Sequence, residues 1–180
     1  MIVSNEGFGY VVGSVENPIN DVDPAKNGNG IHVAIGNVII GEPPDVFVVI
    51  LGSCIALALY DPKSRIGGMT HILLRGDEGG NKRYSGPATR ELISKLRVRV
   101  GQDAALVAKI AGGSSNPLSI DSPVFRNLGK QTMLHVVSIL VDEGIDIFGM
   151  HVGGYEGRNI FFKLEDGSLW IKTKKGIVVI

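Results

Sequence analysis

Two aliphatic runs folded back over one turn, in Val48–Leu74 (VVILGSCIALALYDPKSRIGGMTHILL), limit the fold more than any other stretch of this chain. Ile55–Tyr60 and Gly68–Leu74 are strand-like, and Asp61-Pro62-Lys63-Ser64 between them is turn-forming, with the proline pre-setting its own φ. The pattern predicts an antiparallel hairpin. If Tyr60 faces Gly67 across the Asp61–Ile66 connection, Cys54 lies opposite Leu73. His71, two residues from Leu73, then shares a sheet face with Cys54, roughly 7–8 Å away at the backbone and closer at the side chains. A slip of one residue puts the two on opposite faces. Cys54 is the only cysteine in the chain and His71 one of four histidines, so the hairpin gathers two scarce reactive groups.

The remaining sequence reads outward from that hairpin. Ile31–Ile40 is expected to be a first strand, ended by Glu42-Pro43-Pro44-Asp45, and Val46–Leu51 a strand that runs into Gly52-Ser53. Arg75–Arg83 is a polar, glycine-rich loop. Ser85–Val100 predicts a helix burying Ala88, Leu92 and Leu96 and turning Arg90, Glu91, Lys95 and Arg97 to water. Ala104–Ile110 is a short apolar strand leading into Ala111-Gly112-Gly113-Ser114-Ser115-Asn116. A second helix is expected over Asn127–Glu143, with Leu128, Val136, Val137 and Leu140 buried and Gly144 as its stop. Ile145–Val152 is a strand ending in Gly153-Gly154. Arg158–Leu164 and Ser168–Thr173 form a hairpin over Asp166-Gly167, with Trp170 capping the core from the final strand.

Residues 1–30 hold Asn17-Pro18, Asp23-Pro24 and Asn27-Gly28-Asn29-Gly30, coil formers with little to bury, and are read as a loose extension before a single domain over 31–180. Many strands, two helices and mostly tight connections indicate an α+β fold rather than regular βαβ alternation.

Composition narrows the partners. Eighteen basic and eighteen acidic residues cancel, and Lys172-Thr173-Lys174-Lys175 is too short to track phosphates, so nucleic acid is not an expected partner. No apolar run approaches the ~20 residues of a membrane helix, so no membrane insertion is expected. Met1-Ile2-Val3-Ser4 lacks the charged start and apolar core of a signal peptide, and the expected compartment is the cytoplasm. His135 and His151 read as structural or surface residues and His32 as exposed. No His/Cys spacing fits a metal site.

A thiolate is the reactive form of cysteine, and a neighbouring imidazole can take its proton and return it to a leaving amine. Gly52-Ser53 ahead of Cys54 permits an unusual backbone turn that aims amide N–H groups at a developing oxyanion. By composition alone the ordinary alternative stands beside this one: a lone cysteine or histidine in an aliphatic strand is commonly a packing residue. The loop 111–116 lacks the lysine of a P-loop and the third glycine of a dinucleotide fingerprint. Thr70, next to His71, points to the opposite face of an extended strand. Arg158 after Gly157 is read as an exposed turn arginine, with support of a site wall as the alternative.

The order Leu51-Gly52-Ser53-Cys54-Ile55-Ala56, Tyr60-Asp61-Pro62 and Gly67-Gly68-Met69-Thr70-His71 resembles the signature of the CheD family of chemoreceptor glutamine deamidases. The likeness continues through Lys82-Arg83-Tyr84, Lys109-Ile110-Ala111-Gly112-Gly113-Ser114, Arg126-Asn127, Gly153-Gly154 and Gly157-Arg158. The resemblance implies a β-sandwich-like core of mostly antiparallel strands with two main helices packed outside, and a cysteine hydrolase that needs no metal or organic cofactor. In that reading Cys54 is the nucleophile and His71 the base. Gly52, Ser53 and Ser114 hold the oxyanion or position the substrate, with Asn116 a further candidate beside Ser114. The implied partners are the cytoplasmic helices of methyl-accepting chemoreceptors and the CheC phosphatase. The family pattern also has a threonine about six residues before the cysteine that orients the histidine. Val48 stands there in this chain, so the group that orients His71 is left unassigned, a backbone carbonyl being one that could replace the threonine, and a non-catalytic adaptor is the alternative function.

Overall fold

The computed structural model describes residues 10–12, 30–115 and 127–180; Asn116 and nearly all of the 1–30 segment lie outside that range. In chain order the strands are β1 (Tyr10–Val12), β2 (Gly30–His32), β3 (Val38–Gly41), β4 (Val46–Leu51), β5 (Ile55–Asp61) and β6 (Ile66–Ile72). Helix α1 (Ser85–Val100), β7 (Val107–Gly112), helix α2 (Leu128–Asp142), β8 (Asp146–Val152), β9 (Arg158–Lys163), β10 (Leu169–Thr173) and β11 (Gly176–Val179) follow. One sheet has the order β1-β8-β7-β5-β6-β3 and the other β11-β10-β9-β4-β2. Pairing is antiparallel except between β7 and β8, joined through α2, and between β2 and β4. The fold is α+β, a sandwich of two sheets with both helices on the outer face of the larger one.

Strand β5 shows why the layers stack this way. Every residue in it is buried. Alternation sends Ile55, Leu57 and Leu59 to the cluster under α1 and α2, and Ala56, Ala58 and Tyr60 to the cluster between the sheets. Both faces of a central strand are covered, so the sequence reads as a continuous apolar run. In α1, Ala88, Leu92 and Leu96 are buried as their spacing predicts. On the polar side Arg90 and Lys95 are exposed, but Glu91 and Arg97 are half-buried, and Arg97 donates to the carboxylate and carbonyl of Glu143 after α2. Among the described residues no helix is long and apolar enough to cross a membrane.

Three expectations need correction. Ile31–Ile40 is not one strand: β2 joins the smaller sheet and β3 the larger, and the chain crosses between them at 33–37. Gly36 makes the crossing possible, with φ of +82° in a region that side chains rarely adopt. A further strand, β11, follows Thr173, so Lys174 and Lys175 form the turn into it, and β10 is not last. Trp170 is half-exposed on β10 between the core residues Leu169 and Ile171, with Lys163 Nζ 4.3 Å from its ring centroid; it does not cap the core.

Candidate active site

The hairpin adopts the expected register. Tyr60 pairs with Gly67 and Ala56 with His71 across β5 and β6. Ala56 belongs to the inter-sheet cluster, and residues directly opposite in an antiparallel pair share a face, so His71 looks between the sheets. Cys54 sits in the bend just before β5, half-buried, packed against that same cluster. Thr70 is fully buried on the other face, opposite Leu57, as alternation requires.

What orients His71 comes from the crossing between β2 and β3. The Nδ1 atom lies 3.1 Å from the carbonyl oxygen of Val33. A carbonyl only accepts, so Nδ1 carries the proton and Nε2 keeps its lone pair. The Nε2 atom is buried and makes no hydrogen bond among the described residues. The same segment holds the backbone of the histidine: Gly36 N–H donates to the His71 carbonyl at 2.8 Å, and Ile35 bridges to His71. Val33 N–H in turn donates to the Val48 carbonyl at 2.9 Å, so Val48 acts on the imidazole only through two backbone bonds. Burial, with a smaller contribution from nearby His32, lowers the His71 pKa, against the raising effect of the Val33 carbonyl. Burial likewise raises the thiol of Cys54, partly offset by its own backbone. At neutral pH Cys54 is therefore a thiol and His71 a neutral imidazole. The thiol does not hydrogen-bond to Nε2 in this conformation, and such contacts commonly tighten only around substrate.

The Gly52–Cys54 bend is bonded to the loop after β7. Gly113 N–H donates to the Cys54 carbonyl at 2.8 Å and Ser114 N–H to the Gly52 carbonyl at 3.0 Å. This approach requires Gly112, whose φ is +115° and whose missing Cβ would overlap the Cys54 carbonyl oxygen. In a trans peptide the N–H points opposite to the C=O, so Ser53 N–H is directed away from the 112–115 loop. Ser114 is buried beside the bend, while Gly52 and Ser53 are exposed. The sequence-predicted residues Gly52, Ser53, Cys54, His71 and Ser114 thus occupy one end of the sandwich, at or beside the same hairpin.

The other histidines have structural partners. His135 Nδ1 lies 2.7 Å from Ser85 Oγ, and its Nε2 3.4 Å from Asp77, tying α2 to the start of α1. His151 Nδ1 accepts from Arg158 Nε at 2.8 Å. Arg158 is 4% exposed, so the expected exposed turn arginine is a buried one. Sequence reasoning missed Val33, whose contribution is its carbonyl. Among the described residues no group of three or more His, Cys, Asp or Glu is arranged to hold a metal ion.

The family model for CheD chemotactic sensory transduction matches residues 74–173. A protein of Archaeoglobus fulgidus, named a probable chemoreceptor glutamine deamidase CheD, is 34% identical over 152 residues, covering 83% of this chain and 96% of its own. Similar names belong to relatives in Anaeromyxobacter dehalogenans, 32% identical over 79% of this chain and 83% of its own, and Clostridium novyi, 31% identical over 82% and 94%. Aligned stretches this long in a chain of 180 residues necessarily include Cys54 and His71, which the family match does not reach. With the family match spanning more than half its length and a relative 34% identical across nearly all of its own, the chain belongs to the CheD family.

Proposed function

We propose that this protein is a cysteine-dependent deamidase of glutamine side chains on chemoreceptors. One observation carries the reading: the Val33 carbonyl accepts a hydrogen bond from Nδ1–H of His71 and so leaves a buried Nε2 lone pair, on a ring that faces the cluster against which Cys54 packs. This is the tautomer a general base requires. The family and the names of its relatives support the substrate class.

In this mechanism Nε2 removes the thiol proton as Sγ attacks the side-chain amide carbon of the glutamine. The carbonyl oxygen becomes an oxyanion facing the Ser53 N–H, the donor freed by the bond that Ser114 makes to the Gly52 carbonyl. The imidazolium returns the proton to the amide nitrogen, the C–N bond breaks, and ammonia leaves. Water, deprotonated by Nε2, adds to the thioester and releases glutamate and the free thiol. The Val33 carbonyl stabilises the imidazolium without itself titrating. Ser114 lines the wall beside the bend, where substrate is positioned.

The test is incubation of a receptor cytoplasmic fragment with wild type, Cys54→Ala and His71→Ala. Mass spectrometry should find the gain of about 1 Da for each glutamine converted to glutamate by wild type alone. Equal conversion by wild type and Cys54→Ala would refute the reading, and receptor binding without conversion would identify an adaptor instead.

A further inference from the structure

The rim carrying Cys54 is held from behind by one buried side chain. Arg158, at the start of β9, donates from Nε to His151 Nδ1 at 2.8 Å, from one terminal nitrogen to the Glu156 carbonyl at 3.2 Å, and from the other to the Gly153 carbonyl. All three donor groups of its fork therefore go to an imidazole and two carbonyls. From Gly153 the bonding continues toward the nucleophile. Gly153 N–H donates to the Gly112 carbonyl at 2.9 Å, and Ser115 N–H to the Gly154 carbonyl at 2.8 Å. The 112–115 loop then bonds Cys54 and Gly52, as described above. The circuit closes on itself, because Leu51, immediately before Gly52, pairs with Arg158 between β4 and β9.

Sandwich cohesion does not account for this arrangement. Replacing buried charged groups with apolar side chains of similar volume is often neutral or stabilising, so a buried guanidinium is weak evidence for cohesion, and what its three bonds do is hold groups in a fixed arrangement. Burial lowers the pKa of Arg158 to about 10, against the raising effect of the nearby Glu156 carboxylate. The geometry it fixes is three adjoining backbone segments, 52–54, 112–115 and 153–156, drawn from both sheets and ending at the nucleophile.

We propose that Arg158, oriented by His151, is a positioning residue that sets the backbone of the Cys54 bend, and with it the direction of the Ser53 N–H toward the oxyanion. The catalytic part rests on the deamidase reading; the mechanical part does not.

The experiment compares wild type with Arg158→Gln and Arg158→Lys in two ways. The first is amide hydrogen exchange at Gly113, Ser114, Ser115 and Gly153, with the amides of α1 as reference. Arg158→Gln should speed exchange at the rim about tenfold or more while α1 is unchanged, and Arg158→Lys, keeping a charged donor, should fall between. Wild-type protection at the rim overturns the proposal, as does equal acceleration of α1, which would mean general destabilisation. The second is kinetic. Deamidation kcat should drop about 10²–10³-fold with KM little changed, as for loss of an oxyanion donor. Alkylation of Cys54 by iodoacetamide, which passes through no oxyanion, should stay within about twofold. Unchanged kcat, or alkylation falling in step with kcat, overturns the positioning role. If wild type converts no more glutamine than Cys54→Ala, the deamidase reading fails, while the exchange result still decides the brace. If Arg158→Gln does not fold, Arg158→Lys carries both comparisons.

Discussion

Mild acid should weaken the fold of the wild type more than that of His151→Gln. Arg158 Nε donates to His151 Nδ1, so the neutral ring keeps its proton on Nε2, and protonation would set one N–H against another. Burial first, and the charge of Arg158 second, hold the His151 pKa down to about 4 from its ordinary 6.5. A folded-state value below the unfolded one means that the unfolded chain takes up the proton first as pH falls. The stability is complete above 6.5, is lost through the interval, and levels off below 4. At about 1.36 kcal/mol per unit the interval limits the loss to about 3 kcal/mol, of which about 2 kcal/mol is reached by about pH 5. His71, also lowered by burial, acts in the same direction but is present in both proteins. Asp77 and Glu91 are held low by Arg90 and Lys95, so their contributions are lost mainly below that pH. Glutamine offers an amide oxygen to Arg158 and does not titrate. Urea unfolding at about pH 7.5 and about pH 5 should show wild type losing about 2 kcal/mol more than the variant. Equal losses in the two proteins would refute the argument.

Three other outcomes follow from the site and the core. Because burial raises the Cys54 thiol, its alkylation rate should keep climbing with pH beyond the range of an ordinary cysteine; a plateau already reached near neutrality would mean a preformed thiolate–imidazolium pair. Gly112→Ala should lower deamidation kcat and the thermal midpoint together, since the new methyl group meets the Cys54 carbonyl at a φ of +115°; wild-type kcat in the variant would show that the 112–115 loop does not position the bend. Leu92→Ala, a fully buried change under α1, should cost about 2–5 kcal/mol in chemical denaturation while leaving the KM for receptor fragment unchanged where the protein is folded.

The hairpin, both helices and the α+β class were legible because each rests on side-chain patterning, and patterning is what a sequence states directly. The hairpin register was legible because a turn position fixes strand pairing, and the register found across β5 and β6 is the one that the Asp61–Ile66 connection implies; Cys54 itself lies one residue before that ladder. The failures have the opposite character. A single strand was expected over Ile31–Ile40 because its residues are apolar and β-branched on both sides of Gly36-Asn37, a pair that also suits a turn. Splitting that strand between two sheets takes 33–37 out of a continuous ladder, which leaves Val33 C=O to accept from Nδ1 and Gly36 N–H to donate to the His71 carbonyl. Every residue has a carbonyl, so no residue type could mark this one; the only trace in the sequence is the glycine that lets the chain turn. The same reasoning explains Arg158, two of whose three acceptors are the carbonyls of Gly153 and Glu156. Wherever an orienting group is main chain, the readable signal shifts to the glycines that permit its placement. The glycines around this site, at 36, 52, 112–113 and 153–154, mark its frame more faithfully than the search for a third polar side chain near Val48.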